Sequence, residues 1–323
     1  DYAPGRILVM PRAGMSDAAL DRLLSEQGGG KGRRIGRSEL RIVDLPPGLE
    51  KQMVERLKRH PHIKFAELDE KLSLNAVNDP YYGSQWHLAK TDVTSAWSTS
   101  AGQGVKIAII DTGVDGAHPD LKDRMVAGYN FYDSNTNSSD VHGHGTAVAG
   151  TAAATLNNGM GVASPAGQAW IMPLRISAPD GTAYASAMAS ALYWAADNGA
   201  RVANLSYQKA CGNASVQSAG SYMRSKGGLV VVSAGNTGVQ EAFAASDALI
   251  CVSATDSSDR RASWSSFGSY VDVAAPGVGI YTTTRGGGYG SWNGTSFASP
   301  LTAGILGMMM SANPSLPAGD VAQ

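Results

Sequence analysis

Only two cysteines occur among the 323 residues, too few for a disulfide-built mini-protein or a four-cysteine zinc site. No apolar run approaches the roughly 18 residues that a membrane-spanning helix needs. Charge of either sign is scarce: the formal net charge is -1, so no basic field draws the chain to nucleic acid or to an anionic membrane. No secretory leader follows Asp1, which leaves open whether one was removed or never existed. What is abundant is apolar side chain, 43% of residues, enough for a sizeable core and too much for a disordered or fibrous chain. The length exceeds the roughly 100–200 residues usual for one domain.

Charge divides the chain in two. Residues 1–74 carry 14 Lys and Arg against 11 Asp and Glu, a net of +3. Residues 75–323 carry 12 against 16, a net of -4 over more than three times the length. A small, dense, cationic segment thus precedes a large, weakly charged one rich in Gly, Ala and Ser. Opposite signs suit two parts that dock on each other.

The first segment reads as a small α+β unit of ferredoxin-like order, β-α-β-β-α-β. Arg6–Met10 is a strand. Ser16 caps a helix with an apolar face of Ala19, Leu20, Leu23 and Leu24, stopped by Gly28–Gly30. A short strand near Arg33–Ile35 and an alternating strand through Leu40, Ile42 and Leu45 follow. Leu49, Met53, Val54 and Leu57 mark a second helix, and Ile63, Phe65 and Leu68 a last strand. Residues 71–80 form a polar linker.

Beyond the linker, strands and helices alternate. Strands are expected at Val105–Ile110, Ile171–Ile176, Val202–Leu205, Leu229–Val232 and Leu249–Ala254. Helices are expected at His144–Leu156, Tyr184–Asn198, Ser215–Lys226 and Ser296–Ala312. This predicts an α/β fold with a mostly parallel, doubly wound sheet, whose ligands sit beyond the carboxyl ends of the strands.

Four residues stand where chemistry is done in such a fold. Asp111 ends the strand VKIAII; its plain structural alternative is a cap on the turn Thr112-Gly113. His144 lies in HGHGTAVAGT, between glycines that let backbone approach closely. A zinc site from His142, His144 and Asp111 is a second reading, without an HExxH or cysteine pattern behind it. Ser296 opens an apolar helix in NGTSFASP, either as an ordinary cap or as a hydroxyl beside N–H groups that hold an oxyanion. Asn236 follows an apolar strand in VVVSAGNTG, either as a turn residue or as an amide donor to developing negative charge. Together they supply nucleophile, base, orienting acid and oxyanion donor.

In that order, IIDTGVDGAHPDL, HGTAVAGT, SAGN and NGTSFASP resemble the subtilisin-like serine proteases, or subtilases, over about residues 75–323. The Asp–His–Ser order is the one known for subtilisin. The resemblance implies a triad of Asp111, His144 and Ser296, with the Asn236 side chain and the Ser296 N–H as oxyanion hole. Ala147 and Leu301 stand where the family often has further histidines, neither of them in the triad. The small segment resembles the family's inhibitor-type propeptide in GRILVMPR and HPHIKFAELD. It implies a propeptide over 1–74 that chaperones folding and occupies the groove with Lys71-Leu72-Ser73-Leu74, and a peptidase over 75–323 released by autoprocessing near Leu74/Asn75. The alternative is a permanently attached accessory domain.

The family binds substrate as an added strand. The matching edges are Gly181-Thr182-Ala183 and Ser206-Tyr207-Gln208. The second departs from the family's glycines, with Tyr207, Gln208 and Lys209 bulkier and more polar at the first specificity pocket. The resemblance implies hydrophobic or broad cleavage of polypeptide substrates. The resemblance also implies a structural calcium ion held by Asp79, Asp120, the Asn158 side chain and the carbonyls of Thr155, Met160 and Val162. A weaker second site would use Asp133 and Asn135, with Asn130 in place of an aspartate found in some relatives. Cys211 and Cys251 are either a disulfide or two buried thiols.

The expectation is therefore a secreted, monomeric serine endopeptidase with its propeptide, without nucleic-acid or membrane partners. Two other functions share these residues: a subtilase fold used only for binding, and a polyester hydrolase using the same triad.

Overall fold

Local signals at the start of the chain are realised as read. Ser16 Oγ accepts the Ala19 N–H and starts the helix Asp17–Glu26. The structure is a computed structural model describing residues 2–70 and 77–321. The linker tail and the Leu74/Asn75 junction lie outside the described residues. The chain divides into two units, Asp1–Ala76 and Val77–Gln323.

The N-terminal unit runs β1 (Tyr2–Pro11), α1 (Asp17–Glu26), β2 (Gly32–Arg34), β3 (Arg41–Asp44), α2 (Glu50–Lys58) and β4 (Ile63–Glu70). Its antiparallel sheet has the order β2-β3-β1-β4. Leu20, Leu23 and Leu24 of α1 and Met53, Val54 and Leu57 of α2 pack with Ile7, Val9 and Val43 into one core. The register of β3 differs from expectation: Arg41 and Val43 face inward and Ile42 does not. Arg41 tolerates that position because Asp17 and Glu39 pair its guanidinium.

The larger unit begins with α3 (Trp86–Lys90) and α4 (Val93–Ala96), then β5 (Lys106–Asp111), β6 (Tyr129–Asn130) and α5 (His144–Ala153). It continues with β7 (Trp170–Arg175), α6 (Ala185–Asp197), β8 (Val202–Leu205), α7 (Ala214–Ser225), β9 (Leu229–Ser233) and β10 (Ile250–Thr255). β11 (Val273–Pro276), the hairpin β12 (Ile280–Thr284) and β13 (Gly288–Trp292), α8 (Thr295–Ala312) and α9 (Ala318–Val321) complete it. The sheet order is β11-β10-β9-β8-β5-β7-β6, and every adjacent pair is parallel. Both faces are covered, as a parallel sheet requires. Ile107 and Ile109 of β5 join a core with residues of α5 and α8, while Ala108 and Ile110 join one with residues of α6 and α7. Strand order reverses beside β5, so its carboxyl end opens at the switch point, where α/β sheets bind ligands.

β6, β11 and the β12–β13 hairpin were not expected from sequence. β6 has two residues, and the hairpin strands IYTTT and GYGSW lack a continuous apolar face. Cys211 and Cys251 are disulfide-bonded, which resolves the alternative left open above.

Candidate active site

The carboxyl ends of four neighbouring strands supply the site. β5 ends at Asp111, β7 leads to the segment 177–183, β8 to Ser206, and β9 to Asn236. Asp111 has no solvent exposure. Its Oδ1 accepts the Thr112 N–H at 2.7 Å and pairs with His144 Nδ1 at 2.8 Å. Asp111 Oδ2 has no partner among the described residues, so the imidazole is its principal counter-group.

His144 opens α5, and its approach to Asp111 needs a glycine next in sequence. A Cβ on Gly145 would lie 2.0 Å from the Gly113 carbonyl and 3.1 Å from Asp111 Cβ. Asp140, in a stretch that reads from sequence as an ordinary polar loop, holds this corner. Its Oδ1 accepts from Thr112 Oγ1 and from the N–H groups of His142 and Gly143, and its Oδ2 from the N–H and hydroxyl of Thr146. Thr112 Oγ1 accepts the Gly145 N–H. A buried carboxylate thus satisfies orphan donors at the α5 N-terminus and ties the end of β5 to the histidine turn. Burial presses the His144 pKa down. The charge and hydrogen bond of Asp111, with the charge of Asp140, outweigh it, so the pKa stands above the usual histidine value.

Ser296 is the second residue of α8, and its neighbours explain its placement. Pro300 lies inside that helix and has no N–H to offer the Ser296 carbonyl. Ser206 Oγ donates to that carbonyl instead, at 3.1 Å, which ties the strand end after β8 to the serine turn. Asn236 Oδ1 accepts both the N–H and the hydroxyl of Thr295 at 2.9 Å. Since the backbone N–H needs an acceptor, the amide orientation is determined, and among the described residues its NH2 has no acceptor. Thr295 Oγ1 in turn accepts the Gly235 N–H.

One cleft is lined by Thr112, His142, His144, Asp180, Gly181, Ser206, Tyr207, Gln208, Asn236 and Ser296. His144, Ser296 and Asn236, remote in sequence, share it above buried Asp111. Among the described residues no hydrogen bond joins Ser296 Oγ to the imidazole; such bonds are often long before substrate binds. His144 packs edge-on against Phe297, with ring centroids 5.8 Å apart. Of the expected edge residues, Gly181, Ser206, Tyr207 and Gln208 line the cleft. In the same segment the Thr182 N–H and hydroxyl donate to Asp180 Oδ1, and Ala183 forms an antiparallel bridge with Ser177.

The residues expected at a metal lie together elsewhere in the unit. Asp79 accepts the N–H groups of Asn157 and Asn158. Asp120 accepts from the Val162 N–H and the Asn158 side-chain amide. Burial raises both carboxyl pKa values, and the charge of Asp120 raises that of Asp79 further. Asn158 Oδ1 accepts the Met160 N–H, and Thr155 donates to the Asp120 carbonyl. Among the described residues the carbonyls of Thr155, Met160 and Val162 accept no hydrogen bond. In the other loop, Arg175 pairs with Asp133 at 3.0 Å.

Comparison with known proteins agrees with this geometry. Residues 102–323 match the subtilase family, and residues 1–69 match the fervidolysin N-terminal prodomain. The chain is 37% identical over 317 residues to a thermophilic serine proteinase of Bacillus sp. (strain AK1), covering 96% of this chain and 79% of that protein. It is 42% identical over 237 residues to thermitase of Thermoactinomyces vulgaris, covering 72% and 85%. Among solved structures it resembles a protease from Pseudoalteromonas arctica with a TM-score of 0.70 and 28% identity, over 76% of this chain and 90% of that one.

Proposed function

The chain belongs to the subtilase family, as a serine peptidase with an N-terminal prodomain, and on that premise we propose that Asp111, His144, Ser296 and Asn236 carry its reaction. His144 takes the Ser296 proton as the hydroxyl attacks a peptide carbonyl. Asp111 holds the imidazole in its tautomer and stabilises the imidazolium. The Asn236 NH2 and the Ser296 N–H receive the oxyanion, and the acyl-enzyme then hydrolyses. The observation that carries this reading is the His144–Asp111 bond of 2.8 Å at the floor of a cleft that also contains Ser296 and a pre-oriented Asn236 amide.

The cleft receives an extended polypeptide between the 177–183 and 206–208 segments, and the prodomain's tail is its first occupant. Autoprocessing near Leu74/Asn75 then separates residues 1–74 from 75–323. All the proposed catalytic side chains come from one chain, so the site is complete in a monomer. The disulfide supports secretion into an oxidising compartment. Nothing in the comparisons favours the polyester or purely binding readings.

Calcium fits the Asp79–Asp120 loop. Two buried carboxylates that lose stability by ionising, beside three uncommitted carbonyls, are a donor set for a hard cation. Asp79, Asp120, the Asn158 amide oxygen and the carbonyls of Thr155, Met160 and Val162 would hold it, once Asn158 Oδ1 leaves the Met160 N–H. Bound there, the ion supplies countercharge and rigidity and takes no part in proton transfer. At Asp133 the Arg175 guanidinium already supplies the positive charge, so we assign one ion rather than two.

Casein hydrolysis and N-terminal sequencing of the purified protein test the proposal. Casein cleavage and a new terminus near Asn75, both lost in Ser296→Ala, are expected. Casein cleavage that persists in Ser296→Ala would overturn it.

A further inference from the structure

We propose that Tyr207 sets the side-chain selectivity of this peptidase on the acyl side of the scissile bond, as a crossbar joining the two walls of the cleft. The inference rests on the peptidase reading above and deepens it.

An extended peptide lying between the walls sends alternate side chains down between them. That space is already crossed. Tyr207, half-buried in one wall, donates its hydroxyl to the Gly181 carbonyl of the other at 3.1 Å, 26 residues away in sequence. Both ends of the crossbar are fixed. On one side, Ser206 is bonded to the Ser296 carbonyl and Ser299 Oγ, and the disulfide from Cys211 to Cys251 anchors the far end of the same segment. Gln217 Nε2 further holds the Cys211 carbonyl at 2.8 Å. On the other side, Gly181 turns at φ +85 and its N–H bonds to the Ala178 carbonyl. A Cβ there would meet the His142 ring at 3.4 Å, so this turn closes against the histidine loop. Burial and the charge of Asp111 push the Tyr207 phenol far above its ordinary pKa, so it remains a donor at every working pH.

A rigid aromatic ring in that position leaves room for small inward-pointing side chains two to four residues before the scissile bond, and excludes large ones. Removing the ring opens the space; removing only the hydroxyl unfastens it. The scale for a pocket changed by a few carbons is about tenfold or more in kcat/KM.

The test is a peptide series varied between Ala and Phe at each of those three positions. Wild type, Tyr207→Leu and Tyr207→Phe are compared, with enzyme concentration counted by fluorophosphonate titration so that only folded, competent protein enters the rate. At one or more positions wild type should prefer Ala over Phe by at least about tenfold, Tyr207→Leu should reduce that ratio by about tenfold, and Tyr207→Phe by about threefold. Unchanged ratios in both variants at all three positions would overturn the role of Tyr207, and so would a uniform loss of rate that leaves every ratio alone. A wild-type protein that cleaves no peptide in the series would overturn the peptidase reading instead.

Discussion

Replacing His87 with leucine is expected to flatten the loss of stability in acid. His87 lies in α3, is 1% exposed, and its Nδ1 has no partner among the described residues. Burial alone lowers its pKa from 6.5 to about 3. A histidine depressed in this way contributes its full stability above pH 6.5 and loses it as pH falls towards about 3. The loss is about 1.4 kcal/mol per pH unit, so about 2 kcal/mol is gone near pH 5 and about 3 near pH 4. The neighbours make this costly to the whole unit. Gln85 bonds the Ala163 and Tyr281 carbonyls, and Trp86 Nε1 bonds that of Val278, so α3 pins distant loops together. Urea unfolding, followed by circular dichroism in a Ser296→Ala background to prevent self-cleavage, reads the effect. Between pH 7 and about pH 5 the reference should lose about 2 kcal/mol more than His87→Leu. Equal losses in the two proteins would refute the reasoning.

Three further outcomes are expected. Asn236→Ala should lower kcat by about 10²–10³-fold with little change in KM, because the lost donor acts on the oxyanion rather than the ground state; a change confined to KM would contradict this. Chelation of calcium should lower Tm, and restoring calcium at about 100 times its Kd should return about 2.7 kcal/mol. That response should be absent in Asp120→Asn, and a melting curve indifferent to calcium would remove the ion from the account. Replacing Cys211 and Cys251 by serine should cost about 4 kcal/mol, since the bond closes a loop with a sequence separation of 40. Unchanged denaturant midpoints would show that the reduced chain is already ordered there.

The parts of the fold legible in the sequence were those whose physics is local. VKIAII is buried on both faces and could be read as a central strand. Asp111, His144, Ser296 and Asn236 stood beside glycines and strand ends, where short motifs carry their own meaning. The parts missed depend on contacts between remote segments. Asp140 sits at the end of DSNTNSSD, which reads as an ordinary polar loop; only the folded chain brings its oxygens under Thr112 and the α5 N-terminus. Around β3, apolar Leu40 and Ile42 suggest the wrong face, because Asp17 makes a buried Arg41 tolerable. Pro300 falls inside the expected helix, but the consequence, a Ser296 carbonyl passed to Ser206, requires the end of β8 to meet the start of α8.

The central claim is that one neutral imidazole, held in place by Asp111 beneath it, activates Ser296. Fluorophosphonate labelling measured across pH, with the adduct mapped by mass spectrometry, tests it most directly. The adduct should fall on Ser296, its rate should decline in acid with a midpoint above the ordinary histidine value of 6.5, and Asp111→Asn should slow it by about 10⁴-fold. An adduct elsewhere in protein that hydrolyses casein, or a labelling rate indifferent to Asp111→Asn, would contradict the account.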